Sequence, residues 1–161
     1  GRLDALELSA PPRVRRHAPL ALDLGGIAKG FAVDCAIAAL RDAGCHAGLV
    51  NAGGDLRAFG GRAHEIACRG NSNGTLHVRL CDAALAVSGP RDDAAPAEHQ
   101  GYYNRVGELR VWLQPVAVSA PTAAVADGLT KCVMLGEAAN SAQLLCSFDA
   151  RRLGADWLGF A

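Results

Sequence analysis

The sequence predicts an α+β fold, an antiparallel sheet with helices packed on it, and three observations predict it. Several short strand-like runs follow one another through tight Gly- and Asn-rich turns, which joins neighbours antiparallel rather than through crossover helices. One helical pattern precedes most of those runs and two follow them. The chain has 161 residues, 50% of them apolar, which is a single-domain length with enough apolar surface to bury a core. The reading is one domain over 1–161, without internal repeats or low-complexity segments.

In chain order, Leu3 to Ser9 alternates weakly and ends at the Pro pair of "APPR", as a strand would. Leu20 to Leu24 reads as a second short strand. From Ala28 the period changes: Ala32, Cys35, Ala36, Ala39, Leu40 and Ala43 recur on one helical face. Gly44 stands where a left-handed cap is expected. "HAGLVNAGGDLRAFG" reads as two strands joined through the turn "NAGGD". Ala63–Arg69, Thr75–Leu80 and Ala84–Ser88 read as strands, the first two joined by "GNSNG". The polar, irregular stretch 90–107 reads as a long mobile loop. Leu109 to Ser119 is strand-like, with Pro115 marking a bulge or edge. Pro121 suits the first turn of a helix to about Leu135. A second helix, Glu137 to Ser147, follows Gly136, and Trp157 to Phe160 reads as a closing strand.

Sixteen basic residues balance sixteen acidic ones, which removes the electrostatic ground for nucleic acid or an anionic membrane as main partner. The local "RVRRH" patch, Arg13 to His17, reads as a solvated face. No apolar run approaches the roughly 20 residues needed to span a bilayer. The opening "GRLDALELS" lacks an initiator Met and a charged n-region, as expected if a leader has been removed or the chain is part of a longer protein. Six cysteines without CxxC spacing read as buried free thiols. The scattered histidines give no Ser-His-Asp order, and Trp112 and Trp157 read as packing residues.

Three stretches are candidates for chemistry. "LDLGGIAKGFAVD" delivers Gly25-Gly26 into a helix start, where free amides, the positive end of the helix and Lys29 suit an anion, and Asp23 suits a hydroxyl or a metal's water. Its spacing is neither GxGxxG nor GxxxxGK[ST], and a structural Gly-rich helix start remains the other reading. "VNAGGDLRAFG" exposes turn amides between Asn51 and Asp55, or simply makes a tight hairpin. "VADGLTKCVMLG" places Asp127, Thr130 and Lys131 on one helix face, either as hard oxygen donors for a cation or as an i,i+4 ion pair. "AVSG", with Ser88 and Gly89, ends a strand and adds a hydroxyl and a backbone amide.

Together and in this order, these motifs resemble the ApbE family, the FAD:protein FMN transferases, over about Leu3 to Cys146. The resemblance implies a bacterial, T-fold-like antiparallel α+β domain, with the family's N-terminal lobe lying outside this chain. It implies magnesium- (Mg2+-) dependent transfer of FMN from FAD, through the FMN phosphate, to a Thr of an acceptor protein, with release of AMP. Hydrolysis of FAD to FMN and AMP, or flavin or protein binding without catalysis, are the alternatives it leaves open. By position it implies Asp127 and Lys29 as catalytic residues. Asp23, Gly25, Gly26, Lys29, Asn51, Gly53, Gly54, Asp55, Ser88 and Gly89 correspond to flavin-site positions, and the Gly26 carbonyl, Asp127 and Thr130 to metal ligands. It also implies a periplasmic or membrane-associated location, with a cytoplasmic one still open. Two departures stand out. The family's helix motif has Thr four residues after its Asp, where this chain has Lys131, with Thr130 one residue early. The family's His-x-x-Asp-Pro-x-Thr-Gly segment is replaced by "EHQGYYNRVGELRV", in which His99 is the one possible substitute.

Overall fold

The computed structural model describes residues 3–10, 13–69, 75–89, 101–104, 107–111 and 115–154. A 3-10 turn, Leu3–Ala5, leads into β1 (Leu6–Ser9), which pairs with β2 (Arg13–Arg16). Then come α1 (Ala28–Asp42), β3 (Gly48–Asn51), β4 (Asp55–Phe59), β5 (His64–Arg69), β6 (Thr75–Leu80) and β7 (Ala84–Ser88). The order closes with β8 (Gly101–Tyr103), β9 (Leu109–Val111), β10 (Val116–Ala120), α2 (Ala123–Leu135), α3 (Ala138–Ser147) and β11 (Arg151–Leu153). The central sheet runs β11-β10-β7-β4-β3, and every neighbouring pair is antiparallel. The α+β expectation therefore holds.

Strand alternation sorts the core into two layers. Ala84, Ala86, Val116, Val118 and Ala120 pack with Ala123, Ala126, Leu129 and Val133 of α2 on one side of the sheet. Leu56, Ala58, Leu85 and Ala117 pack with Val78 and Leu80 of the β5–β6 hairpin on the other. With both faces covered, β7 and β10 are apolar almost throughout rather than alternating. The alanines on the helix side let α2 lie close to the strands.

α1 and α2 approach closely at Gly30, where a Cβ would stand 2.2 Å from the Ala123 carbonyl oxygen. Each helix caps the other. Asp34 of α1 accepts hydrogen bonds from the Ala123 and Ala124 amides at 3.0 and 2.9 Å, the first two amides of α2. Asp127 of α2 accepts one from the Gly30 amide at 3.2 Å, in the first turn of α1. This replaces the cap that Ile27, at the N-cap of α1, does not supply. Thr122 caps α2 in the ordinary way, accepting from the Val125 amide. Pro121 thus sits one residue before the cap rather than in the first turn.

α1 begins at Ala28 as expected and ends in a Schellman motif. Gly44 has φ +85, and the Gly44 and Cys45 amides donate to the carbonyls of Arg41 and Leu40. Its buried face is not the expected one. Gly30, Val33 and Ile37 face inward, whereas Ala32, Cys35, Ala39, Leu40 and Ala43 are exposed. Small apolar residues surround α1 on most sides, so spacing alone does not select a face; the close approach at Gly30 does. Leu20–Leu24 is not a strand, and Leu22 and Leu24 are exposed. The stretch 90–107 holds β8 near its end, paired with β9, while 90–100 lie outside the described residues, as do Trp112 and 157–160. The closing strand observed is β11. All six cysteines are free, but they are not buried: Cys35, Cys45, Cys132 and Cys146 are exposed, and Cys68 and Cys81 half-buried.

Candidate functional site

Antiparallel pairing sets the start of β4, the end of β7 and the start of β10 at one end of the sheet, with Ser88 opposite Val116 and Asp55 opposite Ala86. The first turn of α1 and the middle of α2 lie over this end. Residues far apart in sequence meet there. Lys29 Nζ lies 3.0 Å from Asp55 Oδ2. Lys131 Nζ donates to Asp127 Oδ1 and, at 2.9 Å, to Ser88 Oγ. Ser88 Oγ is 2.7 Å from Thr130 Oγ1, which donates to the Asp127 carbonyl at 2.7 Å. A hydroxyl has one proton, so the direction is fixed: Lys131 donates to Ser88, Ser88 to Thr130, and Thr130 to the Asp127 carbonyl.

Asp55 is fully buried, and neither of its carboxylate oxygens has a hydrogen-bond partner among the described residues. The Lys29 contact is an ion pair outside hydrogen-bond geometry, made by a half-exposed lysine. Burial pushes the Asp55 carboxyl above its ordinary value; Lys29 opposes this, and the charge of Asp127 adds to it.

Of the remaining expected site residues, Asp23 and Asn51 have local partners. Asp23 is exposed and accepts from the Gly25 amide at 2.7 Å. Asn51 accepts from the Gly54 amide at 3.2 Å within the β3–β4 turn, where Gly53 and Gly54 take φ values of +66 and +106. That turn therefore does the structural work of the hairpin. Gly89 packs on Pro115, and Gly26 on the stem of Lys131. The start of α1 is less open to an anion than its glycines suggest. The Ile27 and Ala28 amides donate to the Leu24 carbonyl, and the Gly30 amide to Asp127. His99 lies outside the described residues.

Asp34 and Arg57 belong to the same structure but were not singled out from sequence. Arg57 Nη1 donates to Asp34 Oδ1 at 2.6 Å, both side chains being largely buried. The sequence signal was the placement of both residues inside the two most distinctive motifs.

The expected magnesium ligands do not fit that ion as arranged. Asp127 Oδ1 is held by Lys131 and Oδ2 by the Gly30 amide. The Thr130 hydroxyl is buried and committed to Ser88 and the Asp127 carbonyl. Among the described residues, no three His, Cys, Asp or Glu side chains group around a common cation position.

Fold and site define an antiparallel α+β domain whose motif residues converge on a corner of paired carboxylates and ammoniums. The chain belongs to the ApbE family, whose model matches residues 2–152. Among solved structures it is similar to the ApbE flavinyl transferase of Pseudomonas stutzeri in its apo form. The identity is 25% and the TM-score 0.72, over 97% of this chain and 52% of that one. It is also similar in fold to the flavin transferase ApbE of Vibrio cholerae, at 24% identity and TM-score 0.66, over 94% and 52%. The ApbE protein of Thermotoga maritima gives 22% and 0.65, over 91% and 51%. The chain spans about half the length of these proteins. No curated protein matches it in sequence. No helix among the described residues is long and apolar enough to cross a membrane.

Proposed function

We propose that this chain carries the phosphate-handling part of a flavin transferase, which moves FMN from FAD to a Thr hydroxyl of an acceptor protein and releases AMP. One observation carries the reading: four motifs scattered from Asp23 to Lys131 converge at one end of the sheet, through the Lys29–Asp55, Lys131–Ser88 and Gly30–Asp127 contacts. Family membership and the likeness to the Pseudomonas stutzeri flavinyl transferase support the flavin class.

In the proposed reaction the acceptor oxygen attacks the FMN-side phosphorus. The bond from that phosphorus to the bridging oxygen breaks, AMP leaves with the electron pair, and the hydroxyl proton passes to solvent. The protein's part is positioning and charge stabilisation. Lys29 is half-exposed beside Asp55, and in this reading its ammonium meets the diphosphate oxygens. Asp127 holds Lys131 and the start of α1, and so acts through them. Asp23, Gly25, Gly26, Asn51, Gly53, Gly54, Asp55, Ser88 and Gly89 are the proposed surroundings of the flavin nucleotide. The magnesium ion of the resemblance does not fit at Asp127 as these residues lie, and it has no role there in the proposal.

The test is incubation with FAD and a Thr-containing acceptor, with AMP followed by chromatography and acceptor flavin by in-gel fluorescence. The expected result is AMP matched by protein-bound flavin, reduced at least about tenfold in Lys29→Ala. Free FMN in place of bound flavin would mean FAD hydrolysis instead. A second reading, a flavin-binding relative without transferase activity, is favoured by the engagement of both Asp127 oxygens. FAD that binds and is recovered intact would select it.

A further inference from the structure

We propose that the ammonium of Lys131 takes the place of a divalent cation at the Asp127 corner, so that the chain handles its phosphate ligand without a metal ion there. The ligand class rests on the flavin reading above; the replacement of the cation does not.

The first ground is the carboxylate itself. Lys131 Nζ bonds Asp127 Oδ1 while the Gly30 amide bonds Oδ2, so both oxygens are engaged by groups of this chain. The second is space. A Cβ built on Gly26 would lie 3.5–3.7 Å from Cγ, Cδ and Cε of Lys131, so the lysine stem runs through the gap between Gly26 and Asp127. An ion bridging the Gly26 carbonyl and the Asp127 carboxylate would need that gap. The third is Thr130, whose hydroxyl is fully buried and directed at its own helix carbonyl and Ser88.

Charge agrees with geometry. Asp55 and Asp127 are balanced by Lys29 and Lys131. With a neutral residue at 131, one carboxylate would be left uncompensated in a largely buried corner, which is the condition for recruiting a cation. With Lys131 present, a divalent ion would enter against an ammonium already in contact with its ligand. An ammonium carries three protons, and Asp127 and Ser88 take two of them. The third is available to a phosphate oxygen, and the side chain keeps 15% of its surface exposed to reach one.

The experiment uses Mn2+ as the probe and the whole chain, stripped of metal and free of flavin, with free Mn2+ read by electron paramagnetic resonance. Wild type is expected to show no Mn2+ binding that depends on Asp127. Lys131→Thr, checked for folding by circular dichroism, is expected to bind at least about tenfold more tightly, and adding Asp127→Asn is expected to abolish the gain. Lys131→Ser serves the same purpose if the threonine variant does not fold. Wild-type binding that Asp127→Asn removes would overturn the proposal. So would folded Lys131 variants that bind no better than wild type. Because no flavin is present, failure of the flavin reading and failure of this inference give separate results.

Discussion

Asp55 holds a carboxylate where burial works against charge. Lys29 touches one oxygen from a half-exposed position, and the net effect leaves the carboxyl above its ordinary value. A raised folded-state pKa contributes stability below the unfolded value, about 3.9, and that contribution is lost as pH rises through the folded value. Asp55→Asn keeps the shape and removes the buried charge. Thermal melts should therefore show a higher melting temperature at neutral pH, about 2–4 °C for each kcal/mol gained. The advantage should shrink as pH falls towards 4, roughly the unfolded carboxylate pKa. A melting temperature below wild type at pH 7 would mean that the Lys29 pair outweighs burial. Gly30 also has no room for a side chain. A methyl group there meets a helix backbone rather than a flexible side chain, so Gly30→Ala should cost about 3 kcal/mol in urea unfolding, at the upper end of overpacking costs.

At the scale of elements, α1 and α2 depend on each other for their first turns. Asp34 supplies two acceptors to α2 and pairs with Arg57 of β4, so one carboxylate ties two helices to the sheet. Asp34→Ala should cost about 3 kcal/mol by urea titration, since it leaves a largely buried guanidinium unpaired as well as two amides. Asp34→Asn, which keeps an acceptor, should cost less. Equal losses in the two variants would show that charge, not capping, dominates. Elements with strong local signals were legible in the sequence: α1 by its period and Gly44, and β3–β4 by a turn whose two glycines take positive φ. The buried face of α1 was not, because its small apolar residues leave the choice to the contact at Gly30. β11 carries no apolar alternation to read, because two of its three residues are exposed arginines.

For the whole molecule, a five-stranded sheet is covered by helices on one face and a hairpin on the other, and residues of the four motifs meet at one end of it. The members of that corner were legible as motifs. Their pairing was not, because Lys131 and Ser88 are 43 positions apart and Gly30 and Asp127 are 97 apart, and no local periodicity reports such contacts. Of the two readings of that helix face, the i,i+4 ion pair between Asp127 and Lys131 is the one that forms, and it forms inside the corner, with the carboxylate engaged by Lys131 and the Gly30 amide. Whether this corner holds a flavin diphosphate with lysine ammoniums as its cations is read by calorimetric titration of FAD into the chain in EDTA. Binding is expected to persist in EDTA and to weaken at least about tenfold in both Lys29→Ala and Lys131→Met. Binding that appears only when magnesium is added, or that ignores both lysines, would contradict it.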